Sequence, residues 1–599
     1  MKKYDVVVIG GGHSGIEASC ILSRANFDVC LVTFYKEAIG RMSCNPSIGG
    51  VGKGHLVREI DALGGIMAKT ADRTGIQFRL LNSSKGSVVQ GLRCQSDREL
   101  YSLEMRRILA DFKSIEIIEG EAIGIEIKNN KVNSVILENG TQLKTGNVII
   151  SAGTFLRGNL FTGFEVKNGG RINEKSSTLL SQDLEKRGID LQRLKTGTPA
   201  RLKKSSINFS NLEVQKGDEI EEPFSLFSKP FPVLPQVDCF ITYTNRKTSE
   251  IVKSYLDQSP LYQGLIKGIG PRYCPSLEDK VVKFPHHERH QVFLEPVSLN
   301  SDEIYPNGIS TSLPEEAQDK FIRSIEGLES SEIINYGYAV EYDFIEPTNL
   351  DYDLSLKGID GLYFSGQVIG TTGYEEAAGL GLYAAYNIIK KLKKTEKFIL
   401  KRSESYLGVM VDDLVSKGIL EPYRLFTSRA EYRILLDRHT AYRRLTKYAI
   451  EESLLTQEEI VFRENREKEF EYYLKKLKET KVKGENLYHS LKKMDCDKEK
   501  ILREIGCDDL FLQNYIVSEV QNEGYKRRFL DEIKRVENSL NARIPSSFDY
   551  KKIPGLSREM VERFTEKKPK TLFEAFSIPG VTPSAITILK NHLEKSHKK

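Results

Sequence analysis

Residues 5–15 read DVVVIGGGHSG, and this stretch decides the fold. Val6 to Ile9 are β-branched and apolar, which predicts a strand buried on both faces. Gly10, Gly12 and Gly15 then give G-x-G-x-x-G where strand turns into helix. The first glycine permits a tight turn, the second lets backbone approach a pyrophosphate, and the third lets helix and strand pack closely. The helix that follows, Ile16 to Arg24, points its N-terminal amides at the phosphates. Val29 to Val32 reads as a second strand. An incidental Gly-rich turn is the bland alternative, but it does not explain strand, turn, helix and strand in this order and spacing. The context predicts a dinucleotide site.

Part of the usual pattern is missing. An NAD-binding fold carries Asp or Glu at the end of the second strand, to bond the ribose. Thr33 stands there and Glu37 follows four residues later, so either Glu37 reaches back or another group binds the ribose. The loop 40–55, GRMSCNPSIGGVGKGH, superficially resembles a phosphate-binding Walker loop. It is rejected as one because Ser47 stands where a glycine is needed and Gly54 follows Lys53 where Ser or Thr is needed. Val51 to Leu63 reads as an amphipathic helix. Further on, NVIISAGTFLRG (147–158) is an apolar strand ending in Ala152-Gly153-Thr154. Residues 361–390 repeat the theme: a short strand (Leu362 to Ser365), a turn at Gly366-Gln367, and a helix with small residues on one face (Ala377, Ala378, Gly381, Ala384, Ala385). Such a late strand, turn and helix closes the flavin site in FAD folds of the glutathione-reductase type, where Asp rather than Gln367 is usual.

The whole composition sets bounds. A chain of 599 residues exceeds one core and predicts three or four domains. No apolar run is long enough to span a bilayer, and no secretion signal is evident. The eight cysteines are scattered without a C-x-x-C pair, which predicts reduced thiols in a cytoplasmic setting. A net charge of +5 leans only mildly towards anionic partners.

Prolines cluster at Pro223, Pro230, Pro232 and Pro235, and helical periodicity fades over 200–272. The expected fold is α/β: a Rossmann-like FAD-binding domain in two parts (1–199 and 273–391), an inserted α+β subdomain (200–272), an all-α domain (392–546) and a C-terminal helical subdomain (547–599). Periodicity predicts helices over 397–417, 425–451, 456–480 and 512–541.

Among side chains with chemistry, Cys20 and Cys30 fall on the first helix and second strand and read as core; Cys496 and Cys507 read as incidental. Cys44 and Cys274 sit in Gly/Pro-rich loops near Arg41, Lys53 and Arg272, and nearby cations favour thiolate. His286, His287 and His290 do not form H-E-x-x-H, and no metal is expected. Basic clusters occur at Arg93, Arg98, Arg106 and Arg107; at Arg201, Lys203 and Lys204; at Arg424, Arg429 and Arg433; and at Arg443, Arg444 and Lys447. Tyr423, Tyr432 and Tyr442 are interleaved with the last two. Phosphate contacts with aromatic stacking would suit RNA, whereas the residues alone favour a solvated helix face.

Several long motifs carry a resemblance. SCNPSIGGVGKGHLVREIDALGG (43–65), GPRYCPSLEDK (270–280), EIYPNGISTSLP (303–314), YAVEYDFIEP (338–347), SGQVIGTTGYEEAAGLGL (365–382), YLGVMVDDL (406–414), EPYRLFTSRAEYR (421–433) and IPGVTPSAI (578–586) closely resemble the MnmG (GidA) family. These flavin proteins act with the GTPase MnmE on the wobble uridine of certain tRNAs. The resemblance implies FAD bound at Gly10, Gly11, Gly12, His13, Ser14 and Gly15, with Ala122, Ser177 and Gln367. It implies NADH contacts over Gly270, Pro271, Arg272, Tyr273, Cys274, Pro275, Ser276, Leu277, Glu278, Asp279, Lys280, Val281, Val282, Lys283 and Phe284. It implies Cys44 and Cys274 as the cysteines tied to activity, methylenetetrahydrofolate as one-carbon donor, and a homodimer whose helical end docks MnmE in a heterotetramer. Two segments depart from the family pattern, Asp437 to Leu445 and Asn522-Glu523-Gly524-Tyr525. Both lie in the helical half, where they would bear on partner or RNA affinity.

The expected chemistry is thiolate addition to uridine C6, which makes C5 nucleophilic. Three other readings compete. A folate- and FAD-dependent tRNA uridine methyltransferase lacks the long helical end. A generic NADH:flavin oxidoreductase needs neither that end nor the basic clusters. A FAD-bound tRNA-binding regulator without catalysis needs neither cysteine.

Overall fold

The computed structural model describes the chain except residues 1, 220–221, 274, 288, 494, 541, 577, 579–580, 582 and 597–599. The opening stretch lies at the centre of a parallel sheet. Its strands are β1 (Val6–Ile9), β2 (Val29–Thr33), β3 (Ile115–Glu119), β4 (Val148–Ile150) and β5 (Leu362–Phe364), in the order β5-β4-β1-β2-β3. Val7 faces Val148 on one side and Cys30 on the other. Every residue of β1, β2, β4 and β5 is buried, because both faces of the sheet are covered. Cys20 and Cys30 lie in this core.

Helices α1 (His13–Arg24), α2 (Lys53–Ala62), α3 (Arg98–Ala110), α4 (Thr178–Lys186) and α5 (Tyr374–Lys393) surround the sheet. The small face of α5 meets α1. A Cβ on Gly381 would lie 2.0 Å from the Ser14 carbonyl oxygen, so only glycine permits this approach. A short antiparallel sheet of Ser47–Gly49, Gly91–Ser96 and Gly75–Leu81 anchors the loop before α2, with Ile48 paired to Cys94.

A four-stranded antiparallel sheet (Glu165–Asn168, Asn159–Thr162, Tyr338–Ile345, Leu191–Thr198) connects this unit to an insertion. The insertion has its own six-stranded sheet, which begins in sequence at Arg201–Lys203 and ends at Ile333–Asn335, and its own core between Ala200 and Leu328. It therefore extends well past the expected end at 272. Strands Gln291–Pro296 and Glu303–Asn307 complete it, and each contains a proline that weakens its strand signature.

The helical half also differs in detail from its periodicity. Helices Gln457–Glu479 and Leu510–Leu540 match two expected segments closely. The segment 397–417 is helical only from Tyr406, because Ser405 caps there by accepting from the Gly408 N–H at 2.8 Å. In 425–451, short turns at Thr427–Arg429 and Arg438–Thr440 precede a helix at Ala441–Glu451. One continuous core runs from Tyr4 to Val520, so the flavin-type unit and most of the helical half are packed together. Residues between Ile544 and Leu593 form a separate core. Among the described residues, no helix is long and apolar enough to cross a membrane.

Candidate active site

The carboxyl end of the parallel sheet opens into a cavity of about 560 Å³, within the range of ligand sites. Gly10, Gly11, Gly12, His13 and Ser14 line it, as do Ala122, Ser177 and Gln367. Gly15 does not: a Cβ there would lie 1.9 Å from the Gly10 carbonyl oxygen, so this glycine serves helix–strand packing. Gly12 and Gly153 are the reverse, because a Cβ on either would meet no atom within 4 Å and would project into the cavity. Helix α1 starts with no side-chain cap and no acidic residue in its first turn, which leaves its orphan amides for an anion. Thr33, Phe34 and Tyr35 line the cavity where an acid would bind a ribose, and Glu37 lies exposed outside it. Gln367 donates to the Tyr342 hydroxyl at 3.1 Å.

His13 stacks on Tyr374, with ring centroids 4.6 Å apart. Burial pushes its pKa down to about 4, so the ring is neutral near pH 7, and its Nε2 has no hydrogen-bond partner in the protein. A buried, unsatisfied nitrogen in a cavity wall, an uncapped helix and two open glycines together fit a bound dinucleotide such as FAD.

Cys44 lines the same cavity and is half-buried. Its backbone N–H donates to the Tyr374 hydroxyl at 2.7 Å, and its Sγ lies 3.0 Å from the Tyr305 hydroxyl. Beside it, Lys53 pairs with Glu375 at 2.9 Å and Glu376 at 3.1 Å. Burial opposes the Lys53 charge, but the two carboxylates outweigh it and hold its pKa above the ordinary lysine value. Glu375 also accepts from the Gly49 N–H at 2.6 Å, and Glu376 from the Leu425 N–H at 3.1 Å. The first turn of α5 therefore clamps the Gly-rich loop on one side and the segment after Tyr423 on the other.

Cys274 lies outside the described residues. Of the segment 270–284, Pro271 reaches the cavity, and the Tyr273 ring packs on that of the lining residue Phe426 with centroids 4.5 Å apart, while the Tyr273 carbonyl accepts from Arg424 at 3.2 Å. Leu277, Glu278 and Val281 are instead buried in the insertion, and Lys280 donates to the Gly308 carbonyl at 2.6 Å. His286 and His287 are exposed on the loop that follows.

Many residues of the basic clusters are committed internally. Arg93 pairs with Glu295, Arg98 with Glu303 at 3.0 Å, Arg201 with Glu303 at 3.2 Å and Arg444 with Glu59 at 3.0 Å, whereas Lys447 is exposed and pairs with Glu404 at 2.9 Å on the surface. Tyr423 and Tyr442 are buried with their hydroxyls on Asp413 and Asp61, so neither ring stacks on a base. Arg424 is the member of these clusters, besides Arg93, that reaches the cavity. Asp437, Arg438 and His439 are all buried. Tyr525, by contrast, is exposed on the helix Leu510–Leu540.

A family model described as glucose inhibited division protein A matches residues 5–396, and one described as the tRNA modifying enzyme MnmG/GidA C-terminal helical bundle matches 532–599. The chain belongs to the MnmG/GidA family. A tRNA uridine 5-carboxymethylaminomethyl modification enzyme MnmG of Thermodesulfovibrio yellowstonii is 46% identical, over 99% of this chain and 98% of that protein. One of Sulfurihydrogenibium sp. with the same description is 44% identical over 100% and 98%. The crystal structure of Aquifex aeolicus GidA (form I) superposes with a TM-score of 0.88 at 43% identity, covering 99% of this chain and all of that one. Within this MnmG/GidA chain, sequence reasoning named the glycines, Cys44 and Gln367 as site residues but gave no role to Tyr305, Tyr374, Glu375 or Glu376. For the two glutamates a signal was present: paired acids at the start of an otherwise apolar helix are costly unless a cation meets them.

Proposed function

We propose that this chain adds a carboxymethylaminomethyl (or aminomethyl) group at C5 of the wobble uridine of certain tRNAs, as an FAD-dependent enzyme working with the GTPase MnmE. The observation that carries this reading is the Cys44 thiol, held in the wall of the same cavity as the Gly10–Ser14 turn. Uridine C5 is a weak nucleophile. A thiolate that bonds to C6 shifts the C5=C6 electron pair towards C5 and O4, and C5 then attacks a one-carbon electrophile. Gly10, Gly11, Gly12, His13, Ser14, Ala122, Ser177 and Gln367 would hold FAD, with Gly15 supporting the turn from behind. Bound FAD would supply electron transfer between NADH and the one-carbon unit of methylenetetrahydrofolate.

The Gly270–Tyr273 end of the segment 270–284 is proposed to contact NADH, with Cys274 as the second cysteine, whereas Leu277, Glu278 and Val281 are buried in the insertion and are not available for that contact. Arg424 and Phe426 in the cavity wall, with Tyr273 against Phe426, suit a phosphate and a base of tRNA. A homodimer that docks MnmE through its helical end, in the cytoplasm, completes the reading. The matched C-terminal helical bundle favours it over a folate-dependent uridine methyltransferase.

The test is reconstitution with MnmE, tRNA, GTP, FAD, NADH, methylenetetrahydrofolate as the one-carbon donor and glycine or ammonium as the amine donor, followed by mass spectrometry of the nucleosides. Cys44→Ser and Cys274→Ser are each expected to lose the modified uridine while retaining flavin. Full activity in both variants would overturn the thiol mechanism, and a product heavier by one methyl group alone would favour the methyltransferase.

A further inference from the structure

We propose that Tyr305 is a catalytic residue of this site, whose hydroxyl donates a hydrogen bond to the sulfur of Cys44 as charge builds on it. The inference rests on the reading of Cys44 as nucleophile. Tyr305 comes from the strand Glu303–Asn307, which belongs to the insertion and not to the dinucleotide-binding unit. Its side chain is 3% exposed, and its hydroxyl lies 3.0 Å from Cys44 Sγ. The strand is held on both sides: Tyr305 is in register with Glu295, and Ile304 with Leu202. The Arg201 guanidinium stands 4.5 Å from the Tyr305 ring centre and pairs with Glu303 at 3.2 Å. On the other side of the thiol, the Tyr374 hydroxyl accepts from the Cys44 N–H. Two phenols from two different units thus fix the Cys44 loop, one at its backbone and one at its sulfur.

The chemistry gives the sulfur contact a purpose. In the forward step the thiolate pair forms the S–C6 bond, while the C5=C6 pair moves onto C5 and O4. In the release step C5 loses its proton to a base, the C5=C6 bond re-forms, and the C6–S pair returns to sulfur. Negative charge resides on sulfur at the start of the first step and at the end of the second. A phenol O–H aimed at that atom stabilises both states and keeps its own proton throughout. The cation over the ring makes the phenol a better donor.

The experiment uses the full-length FAD-bound protein and measures iodoacetamide labelling of Cys44 by peptide mass spectrometry, at a pH where the labelling rate is observed still to rise with pH. Loss of the donor reduces the thiolate fraction more than it increases the nucleophilicity of what remains. Labelling of Tyr305→Phe is expected to slow by about five-fold. Flavin content should be unchanged, and in the reconstituted reaction kcat should fall with little change in KM for tRNA. If Tyr305→Phe loses its flavin, 3-fluorotyrosine at 305 keeps the ring and strengthens the donor, and labelling should then speed up. A labelling rate unchanged by either replacement overturns the inference while leaving the Cys44 mechanism standing. Full activity of Cys44→Ser overturns that mechanism, whatever the labelling shows.

Discussion

Gly12 and Gly15 stand three residues apart, and a methyl group at each would have opposite effects. At Gly12 the Cβ meets no atom within 4 Å, so Gly12→Ala should fold as well as the parent and fail to hold flavin. At Gly15 the Cβ lands 1.9 Å from a backbone oxygen, so Gly15→Ala should lose about 1–3 kcal/mol of stability with or without flavin. Urea denaturation of the flavin-free proteins, with flavin absorbance of the purified ones, separates the two; equal stabilities would contradict the packing role. This division was legible in the sequence, because the spacing of the motif assigns one glycine to the ligand and another to the helix. The Lys53 clamp was not, since Lys53 and Glu375 are 322 residues apart in the chain. The clamp gives a second test. A Cβ on Gly373 would lie 2.0 Å from Glu376 Oε2 and 2.2 Å from Lys53 Nζ, so Gly373→Ala should force the buried pair apart at a cost of about 3 kcal/mol. A melting temperature equal to the parent's would show that the clamp has room to shift.

At the scale of elements, strong periodic signals located the strands and long helices, whereas local capping set the boundaries. Ser405 starts its helix later than the apolar pattern predicts. The proline-containing strands of the insertion gave no alternation to read, because they are recognised only by their pairing partners. Buried histidines are equally opaque, since a sequence shows the imidazole but not its surroundings. His55 lies in the first turn of α2, with Nε2 3.1 Å from the Val88 carbonyl and its ring edge-on to Tyr406. Burial lowers its pKa from 6.5 to about 3. Between those values the unfolded chain takes a proton that the folded chain refuses, so His55 reduces stability as pH falls. The slope is about 1.4 kcal/mol per pH unit for one such group. His55→Gln should remove that slope, and the parent should lose about 2 kcal/mol more than the variant between pH 6.5 and pH 5. Parallel stability curves for the two proteins would refute the assignment.

Across the whole molecule, one carboxylate connects three units. Glu222 of the insertion accepts from Arg58 of α2 and from Arg438 of the helical half, each at 2.9 Å. Burial opposes its ionisation, but Arg438, His439 and Arg58 outweigh it and hold Glu222 well below the usual carboxylate range. Behind Arg438, Asp437 bonds His439 Nδ1 at 2.8 Å and accepts from Ser518 at 2.7 Å, which extends the network to the helix Leu510–Leu540. The charges of the Asp437-Arg438-His439 triplet face inward to a partner that sequence alone could not identify. Arg58 belongs to the helix that follows the Cys44 loop, so the junction also supports that loop from below. Both guanidiniums are fully buried, and removing their shared carboxylate takes the ion-pair partner from each, leaving Arg58 with the attraction of Asp61 and Asp72 and Arg438 with that of Asp437. Glu222→Ala should therefore cost about 3–5 kcal/mol in urea denaturation. The exposed pair Lys475–Glu479 provides the control, with side chains 75% and 66% accessible. Glu479→Ala should change stability by no more than about 0.5 kcal/mol. Equal effects of the two substitutions would mean that Glu222 is replaceable, and that the apolar core running from Tyr4 to Val520 suffices to hold the helical half in place.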